Sequence, residues 1–231
     1  RLALVAVDSN DNPVICGYTM GAFNGAVVQG DYPWGTSDQS NPSGLTNMIV
    51  AKFHGQTTHV LWLKQIPELS EAKKVAIDSN DNIFVATRHL DTSFNCTIFK
   101  FDTNGNEVKR INISPIIQPS GLTIDTNDDV IVAGWSDGIK WMNPNEYDGE
   151  GGTDTYIAKF NNNLVELWRN TYGTVDPVNS QDDDPYDIDT DSSNNIYIAG
   201  KQGNYKGFLL KYNSSGEQLW VKNFHNDARV Y

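Results

Sequence analysis

The chain has 231 residues, 39% of them hydrophobic and 20% charged, with a formal net charge of -12. That is enough apolar material for a real core in a soluble globular protein. The acidic balance repels phosphate backbones and excludes nucleic acid as a natural partner, and no apolar run is long enough for direct membrane insertion.

Many of the apolar residues are β-branched or aromatic, and helical periodicity is absent, so the chain reads as all-β. The first hairpin is the phrase Ala6-Val7-Asp8-Ser9-Asn10-Asp11-Asn12 followed by the apolar run Val14-Ile15-Cys16-Gly17. Asp and Asn tolerate the backbone conformations that such a turn requires. A second hairpin pairs Met48-Ile49-Val50-Ala51-Lys52-Phe53 with Val60-Leu61-Trp62-Leu63-Lys64.

The pattern then returns. Ala76-Ile77-Asp78-Ser79-Asn80-Asp81-Asn82 leads into Ile83-Phe84-Val85-Ala86, and Thr97-Ile98-Phe99-Lys100-Phe101 into Val108-Lys109-Arg110-Ile111. The third copy runs Thr123-Ile124-Asp125-Thr126-Asn127-Asp128-Asp129, Val130-Ile131-Val132-Ala133-Gly134, then Tyr156-Ile157-Ala158-Lys159-Phe160 and Leu164-Val165-Glu166-Leu167-Trp168. In the fourth, the phrase reads as stretched by one residue, Asp187-Ile188-Asp189-Thr190-Asp191-Ser192-Ser193-Asn194-Asn195, with Asp189 as the aligned acid. Ile196-Tyr197-Ile198-Ala199-Gly200, Phe208-Leu209-Leu210-Lys211-Tyr212 and Leu219-Trp220-Val221-Lys222 complete it. Four short antiparallel strands per unit, repeated four times with turn signals between, predict four four-stranded β-propeller blades. The approximate repeats are 1–70, 71–117, 118–182 and 183–231, forming a single or partial propeller domain. Phe53, Phe101, Phe160 and Tyr212, with Trp62, Trp168 and Trp220, are expected to pack between blades. Lys52, Lys100, Lys159 and Lys211 recur at one strand position and are expected to pair with carboxylates of neighbouring blades.

Cys16 stands where Ala86, Ala133 and Ala199 stand in the other repeats, and Cys96 where Met48, Thr155 and Gly207 stand. They read as two separate thiols rather than a disulfide, so cysteine usage leaves the compartment open.

The order Ala6-Val7-Asp8-Ser9-Asn10-Asp11-Asn12, Val14-Ile15-Cys16-Gly17-Tyr18-Thr19, Ile49-Val50-Ala51-Lys52-Phe53 and Leu61-Trp62 resembles the SBBP group of β-propeller repeats, over nearly the whole chain. Thr87 and Arg88 depart from the Gly-Tyr or Gly-Trp of other units, and Lys109 replaces their Trp, which marks the second blade as less regular. The resemblance implies a propeller, usually within a larger secreted or surface protein, and no single activity. Ala228-Arg229-Val230-Tyr231 returns to the phase at which the chain opens. The expectation is a ring of roughly six to eight blades, in which the rest of a longer chain is a partner, with a closed four-bladed ring as the alternative.

Function is expected opposite the tight turns, on the long unequal connections 18–47, 88–95, 135–154 and 201–206, and on those between blades. The first of these carries Phe23, Asp31, Tyr32 and Trp34; the third carries Trp135, Trp141, Tyr147, Asp148, Glu150 and Asp154. Flat aromatic rings beside acids suit a protein or glycan partner, since a ring stacks while carboxylates take hydroxyl hydrogen bonds; the alternative is that the rings fold each loop onto its own blade. The candidate binding residues are Tyr32, Trp34, Trp135, Trp141, Tyr147, Asp148 and Asp154. No cofactor is implied except calcium, for which the acidic candidates are Asp189, Asp191, Asp182 and Asp184; yet the phrase lacks the sharp-turn Gly and the terminal Glu of a calcium loop, and a hairpin turn accounts for it better. His54, His59, His89 and His225 lack metal spacing and a recognisable partner, and no catalytic motif occurs. The leading expectation is a non-enzymatic extracellular or cell-surface module for adhesion, assembly or ligand binding. The alternatives are a glycan hydrolase or lyase with carboxylates at the axis, and a purely structural filament or envelope subunit.

Overall fold

A computed structural model describes residues 2–19, 46–57, 59–66, 70–90, 96–114, 118–137, 153–173, 182–203 and 206–224. Every regular element among the described residues is a strand. The first sheet contains β1 (Leu2–Val7), β2 (Pro13–Thr19), β3 (Asn47–Phe53) and β4 (Val60–Ile66), and the second β5 (Ser70–Ile77), β6 (Ile83–His89), β7 (Cys96–Phe101) and β8 (Glu107–Ile113). The third contains β9 (Gln118–Ile124), β10 (Val130–Asp137), β11 (Thr153–Phe160) and β12 (Glu166–Tyr172), and the fourth β13 (Asp183–Thr190), β14 (Ile196–Gln202), β15 (Lys206–Tyr212) and β16 (Gln218–Phe224). In each sheet the strands lie in chain order, each hydrogen-bonded to its successor. This is the blade form of a β-propeller.

The recurring phrase is a turn that satisfies its own polar groups. Asp8 N donates to Asn12 O at 3.1 Å and Asp11 N to Asp8 O at 3.1 Å. Asp8 Oδ1 accepts from the amides of Asn10 and Asn12 at 2.9 and 2.8 Å. Asp11 takes the left-handed conformation, φ 61°, which Asp and Asn adopt more readily than most residues. The same bonds recur around Asp78, Asp125 and Asp191. The second hairpins reuse them around Asp102, Asn161 and Asn213. The first repeat differs: His54 replaces the Asp or Asn, and its Nδ1 accepts from Gln56 N at 3.2 Å.

This geometry corrects the alignment of the fourth copy. Asp191, not Asp189, occupies the place of Asp8, Asp78 and Asp125. Asp189 lies on β13 opposite Tyr197. Asp-x-Asp offers two acids in the same apolar context, and only the turn bonds separate them.

Lys52, Lys159 and Lys211 pair with carboxylates of their own blades, which corrects the expected pairing with those of neighbouring ones, although Lys52 also reaches Thr103 O of the next sheet at 3.5 Å. Lys52 Nζ lies 2.6 Å from Asp8 Oδ2, Lys159 Nζ 2.7 Å from Asp125 Oδ2 and 3.0 Å from Asp129 Oδ2, and Lys211 Nζ 3.8 Å from Asp191 Oδ2. The reason is register: Val14 pairs with Lys52 and Ile131 with Lys159, so each ammonium sits beneath the turn of the adjoining hairpin.

The described strands fall into two compact units, Arg1–Asn112 and Ile113–Tyr231. In the first, Cys16, Met48 and Val50 of one sheet pack with Ile83, Val85, Phe99 and Phe101 of the next. In the second, Ile131, Ala133 and Ile157 pack with Ile188, Ile198, Phe208 and Tyr212. Neither sheet of a pair covers both its faces alone; stacking the blades buries the inner strands. The second blade keeps the common strand order despite its divergent residues: Thr87 is fully buried and donates its hydroxyl to Thr97 O at 3.2 Å. Cys16 and Cys96 are buried and unbridged.

Candidate functional site

Each sheet has two unlike ends. At the turn end the Asx side chains that open the turns accept turn amides, and Asp8, Asp125 and Asp191 also face lysines. Asp191 Oδ1 accepts from Ser193 N and Asn195 N, and Oδ2 from Asn195 Nδ2 and Tyr197 Oη. Asp189 Oδ1 takes the Thr190 amide at 2.8 Å. Hydrogen bonds from Asn195 to the Asp191 carboxylate lead the effects that hold it down to about 2.

The opposite end of the second unit gathers groups from several strands. Trp135 lies near the end of β10, Thr153 opens β11, Asp183 and Asp184 open β13, and Lys201 lies near the end of β14. Thr153 N donates to Asp182 Oδ1 at 3.1 Å, and Thr153 Oγ1 donates to Asp184 Oδ1. Thr155 Oγ1 donates to Asp183 O at 2.6 Å. These bonds tie β11 to the start of β13. Lys201 Nζ lies 3.0 Å from Asp184 Oδ2, and that hydrogen bond raises the lysine's pKa against the opposing effect of burial. Burial, then the Asp183 charge, raises the pKa of nearby Tyr172. Lys201 thus stands beside a run of three consecutive acids, Asp182, Asp183 and Asp184.

The strand register divides the residues expected here. Trp135 pairs with Thr155, and Ser136 with Asp154, without a shift. Cross-strand partners share a face and successive residues alternate, so Trp135 shares its face with Thr153 and Thr155, while Asp154 lies on the other. The structure therefore brings Trp135, Asp182 and Asp184 to one end and face, and separates Asp154 from them. The acids considered for calcium are likewise divided, with Asp182 and Asp184 at the long-loop end and Asp189 and Asp191 toward the turn end. Among the described residues, no group of three or more His, Cys, Asp or Glu side chains is placed to hold a metal ion. Phe23, Asp31, Tyr32, Trp34, Trp141, Tyr147, Asp148, Glu150 and His225 lie outside the described residues.

A polar chain in the second blade was missed by the sequence reading. His89 Nε2 lies 2.6 Å from Thr97 Oγ1, which donates to Asn112 Oδ1 at 2.7 Å. His89 thus has a partner. Its three members sit on three adjacent strands, so no sequence spacing announces them.

No protein-family model and no curated protein matches the chain. Solved structures do. The chain is similar to Kuenenia stuttgartiensis hydrazine synthase at 11% identity, over 91% of this chain and 64% of that one, with a TM-score of 0.57. It is similar to a quinohemoprotein alcohol dehydrogenase from Pseudomonas putida HK5 at 12% identity, over 77% and 32%, with a TM-score of 0.50. A Bacteroides caccae protein of unknown function aligns at 13% identity over 75% and 53%, with a TM-score of 0.49. The chain spans less than two thirds of each of these proteins. At such identities the likeness is one of fold, and the fold is propeller-like.

Proposed function

We propose that this chain is a non-enzymatic propeller module of an extracellular or cell-surface protein, and that it binds a protein or glycan through its long-loop end. The observation that carries this reading is the gathering of an aromatic ring, a hydroxyl, an ammonium and carboxylates from four strands at the long-loop end of the second unit. At the turn end the carboxylates that open the first turns, Asp8, Asp125 and Asp191, are held by local amides and lysines. At the long-loop end of the second unit, Trp135 shares an end with Asp182, Asp184, Thr153 and Lys201, a set able to stack against a sugar or side chain while carboxylates accept its donors. The resemblance to SBBP repeats supports a surface setting.

Arrayed glycans and surface-protein extracts probed with the intact chain test this reading. Trp135→Ala and deletion of residues 138–152 are each expected to lower binding at least tenfold while the far-UV spectrum stays that of a β protein. Full binding by both variants sinks the site. Turnover of any bound glycan sinks the non-enzymatic assignment.

A further inference from the structure

Within each unit, the joint between successive blades is made by the same pieces. In the first, Ser9 N and Oγ donate to the two carboxylate oxygens of Asp81 at 2.8 and 2.7 Å. Trp62 Nε1 donates to Thr103 O at 3.1 Å, and its ring lies on Gly105, where a Cβ would come within 2.8 Å of it. Lys64, two residues on, acts on the Asp102 carboxylate: burial pushes that group up, but the Asn106 and Asn104 hydrogen bonds and the Lys64 charge together bring it down. In the second unit, Thr126 donates to Asn194 Oδ1 through N and Oγ1 at 3.1 and 2.8 Å. Trp168 Nε1 donates to Ser214 O at 3.1 Å over Gly216. Asn170, in the place of Lys64, donates Nδ2 to Gly216 O at 2.5 Å.

The fourth repeat carries these donors again. Register places Trp220 opposite Lys211 and Lys222 opposite Leu209, as Trp62 lies opposite Lys52 and Lys64 opposite Val50. Ser192 holds the place of Ser9. The three together, Ser192, Trp220 and Lys222, repeat the outgoing set of the first repeat, Ser9, Trp62 and Lys64. Here, however, the strand is uncovered: Trp220 is 41% exposed against 7% for Trp62, and Val221 is 38% exposed against 6% for Leu63. Trp220, expected like the other two to pack between blades, is thus left partly exposed in this chain.

We propose that the β16 face docks a further repeat of the second repeat's type, with an acid at the left-handed position of its first turn, an acid opening its second turn, and a glycine under Trp220. The lysine selects an acidic opening residue, because an asparagine there leaves Lys222 without the opposite charge that Lys64 has. A second copy of this chain does not fit. Its Gly105 and Gly216 already seat Trp62 and Trp168, and its other two second-hairpin turns carry Thr57 and Leu164 at that place, where a side chain meets the ring. The face extends the joint geometry already seen within each unit.

The test appends a copy of residues 70–113 to the intact chain, labels its tryptophans with 5-fluorotryptophan, and follows Trp220 by fluorine NMR, the resonance being assigned with Trp220→Phe. In the parent chain Trp220 shows a large solvent isotope shift at all concentrations. In the extended chain this shift falls to that of Trp62, and it returns when Gly105→Ala is made in the appended copy alone. Lys222→Glu, at an exposed position, weakens the shielding, and Lys222→Arg does not. Shielding of Trp220 in the parent chain that grows with concentration assigns the face to a second copy and overturns the proposal. So does an extended chain whose Trp220 stays solvent-shifted, or one indifferent to Lys222→Glu.

Discussion

Lys159 Nζ and Asp125 Oδ2 lie 2.7 Å apart with side-chain exposures of 4% and 0%. Asp129 Oδ2 is the ammonium's second partner at 3.0 Å. Burial alone lowers the lysine's pKa, but the Asp125 and Asp129 hydrogen bonds override it and raise it. The pair joins the end of β11 to the turn between β9 and β10, so it fixes one hairpin against the next. Removing one partner of a buried pair strands the other charge, a loss of about 3 kcal/mol. Lys159→Met is expected to lower the urea midpoint accordingly. The double variant Lys159→Met with Asp125→Asn recovers part of the loss, since Asn keeps the turn-capping oxygen and removes the stranded charge. Equal stability of the two variants counts against this account.

The same chemistry sets an acid limit. Burial raises the Asp8 carboxyl, but hydrogen bonds from Lys52 first, then from Asn12 and Asn10, bring it down to about 2. A carboxyl depressed in the folded state binds its proton more readily when unfolded. Its contribution is therefore complete above the ordinary carboxylate pKa near 4 and is lost as pH falls toward 2. Urea midpoints are expected to be level with respect to this group from pH 7 to about 4.5 and to drop below that. Asp8→Asn retains the oxygen that caps the turn and is expected to drop less steeply over the same window.

The repeat, the strand order and the tight turns were legible in the sequence because each rests on local chemistry repeated in register. Asx residues at fixed offsets from β-branched runs fix hairpins, and period-two alternation fixes their faces. What escaped was set across strands. The partners of Lys52 and Lys159 depend on hairpin pairing, so spacing alone did not show that they lie within one blade. Trp135 and Asp154 look like one cluster along the loop, yet the β10–β11 register places them on opposite faces. His89, Thr97 and Asn112 meet only because three strands adjoin.

Gly105 and Gly216 are required twice over. Both have positive φ, 76° and 84°, and a Cβ at either would come within 2.8 Å or less of the tryptophan above it. Gly216→Ala is expected to cost about 2 kcal/mol, from the left-handed backbone together with overpacking against Trp168. Leu164 shows that the backbone term alone is tolerable, since it holds φ 54° while 3% exposed. Leu164→Gly relieves about 1 kcal/mol of left-handed strain but removes a buried side chain worth about 2–3 kcal/mol. The net effect is destabilising. Calorimetry on both variants separates the two contributions, and a stabilised Leu164→Gly contradicts the packing role of that side chain.

Cys16 and Cys96 are fully buried on β2 and β7 of adjoining sheets. Burial pushes the Cys16 thiol up to about 12. It raises Cys96 further, against a small opposing effect of the Thr87 backbone hydrogen bond. Thiolate is the reactive form, so both residues are inert in the folded chain at neutral pH. Ellman's reagent is expected to titrate neither thiol in native buffer over an hour and both in concentrated urea. Because the reaction then waits on opening of the first unit, its rate in intermediate urea reports that unit's stability, and Cys16→Ala and Cys96→Ala tell whether both thiols are released in one step. Dithiothreitol leaves the urea midpoint unchanged, as no disulfide joins the pair. A thiol that titrates at once in native buffer contradicts the buried assignment of its strand.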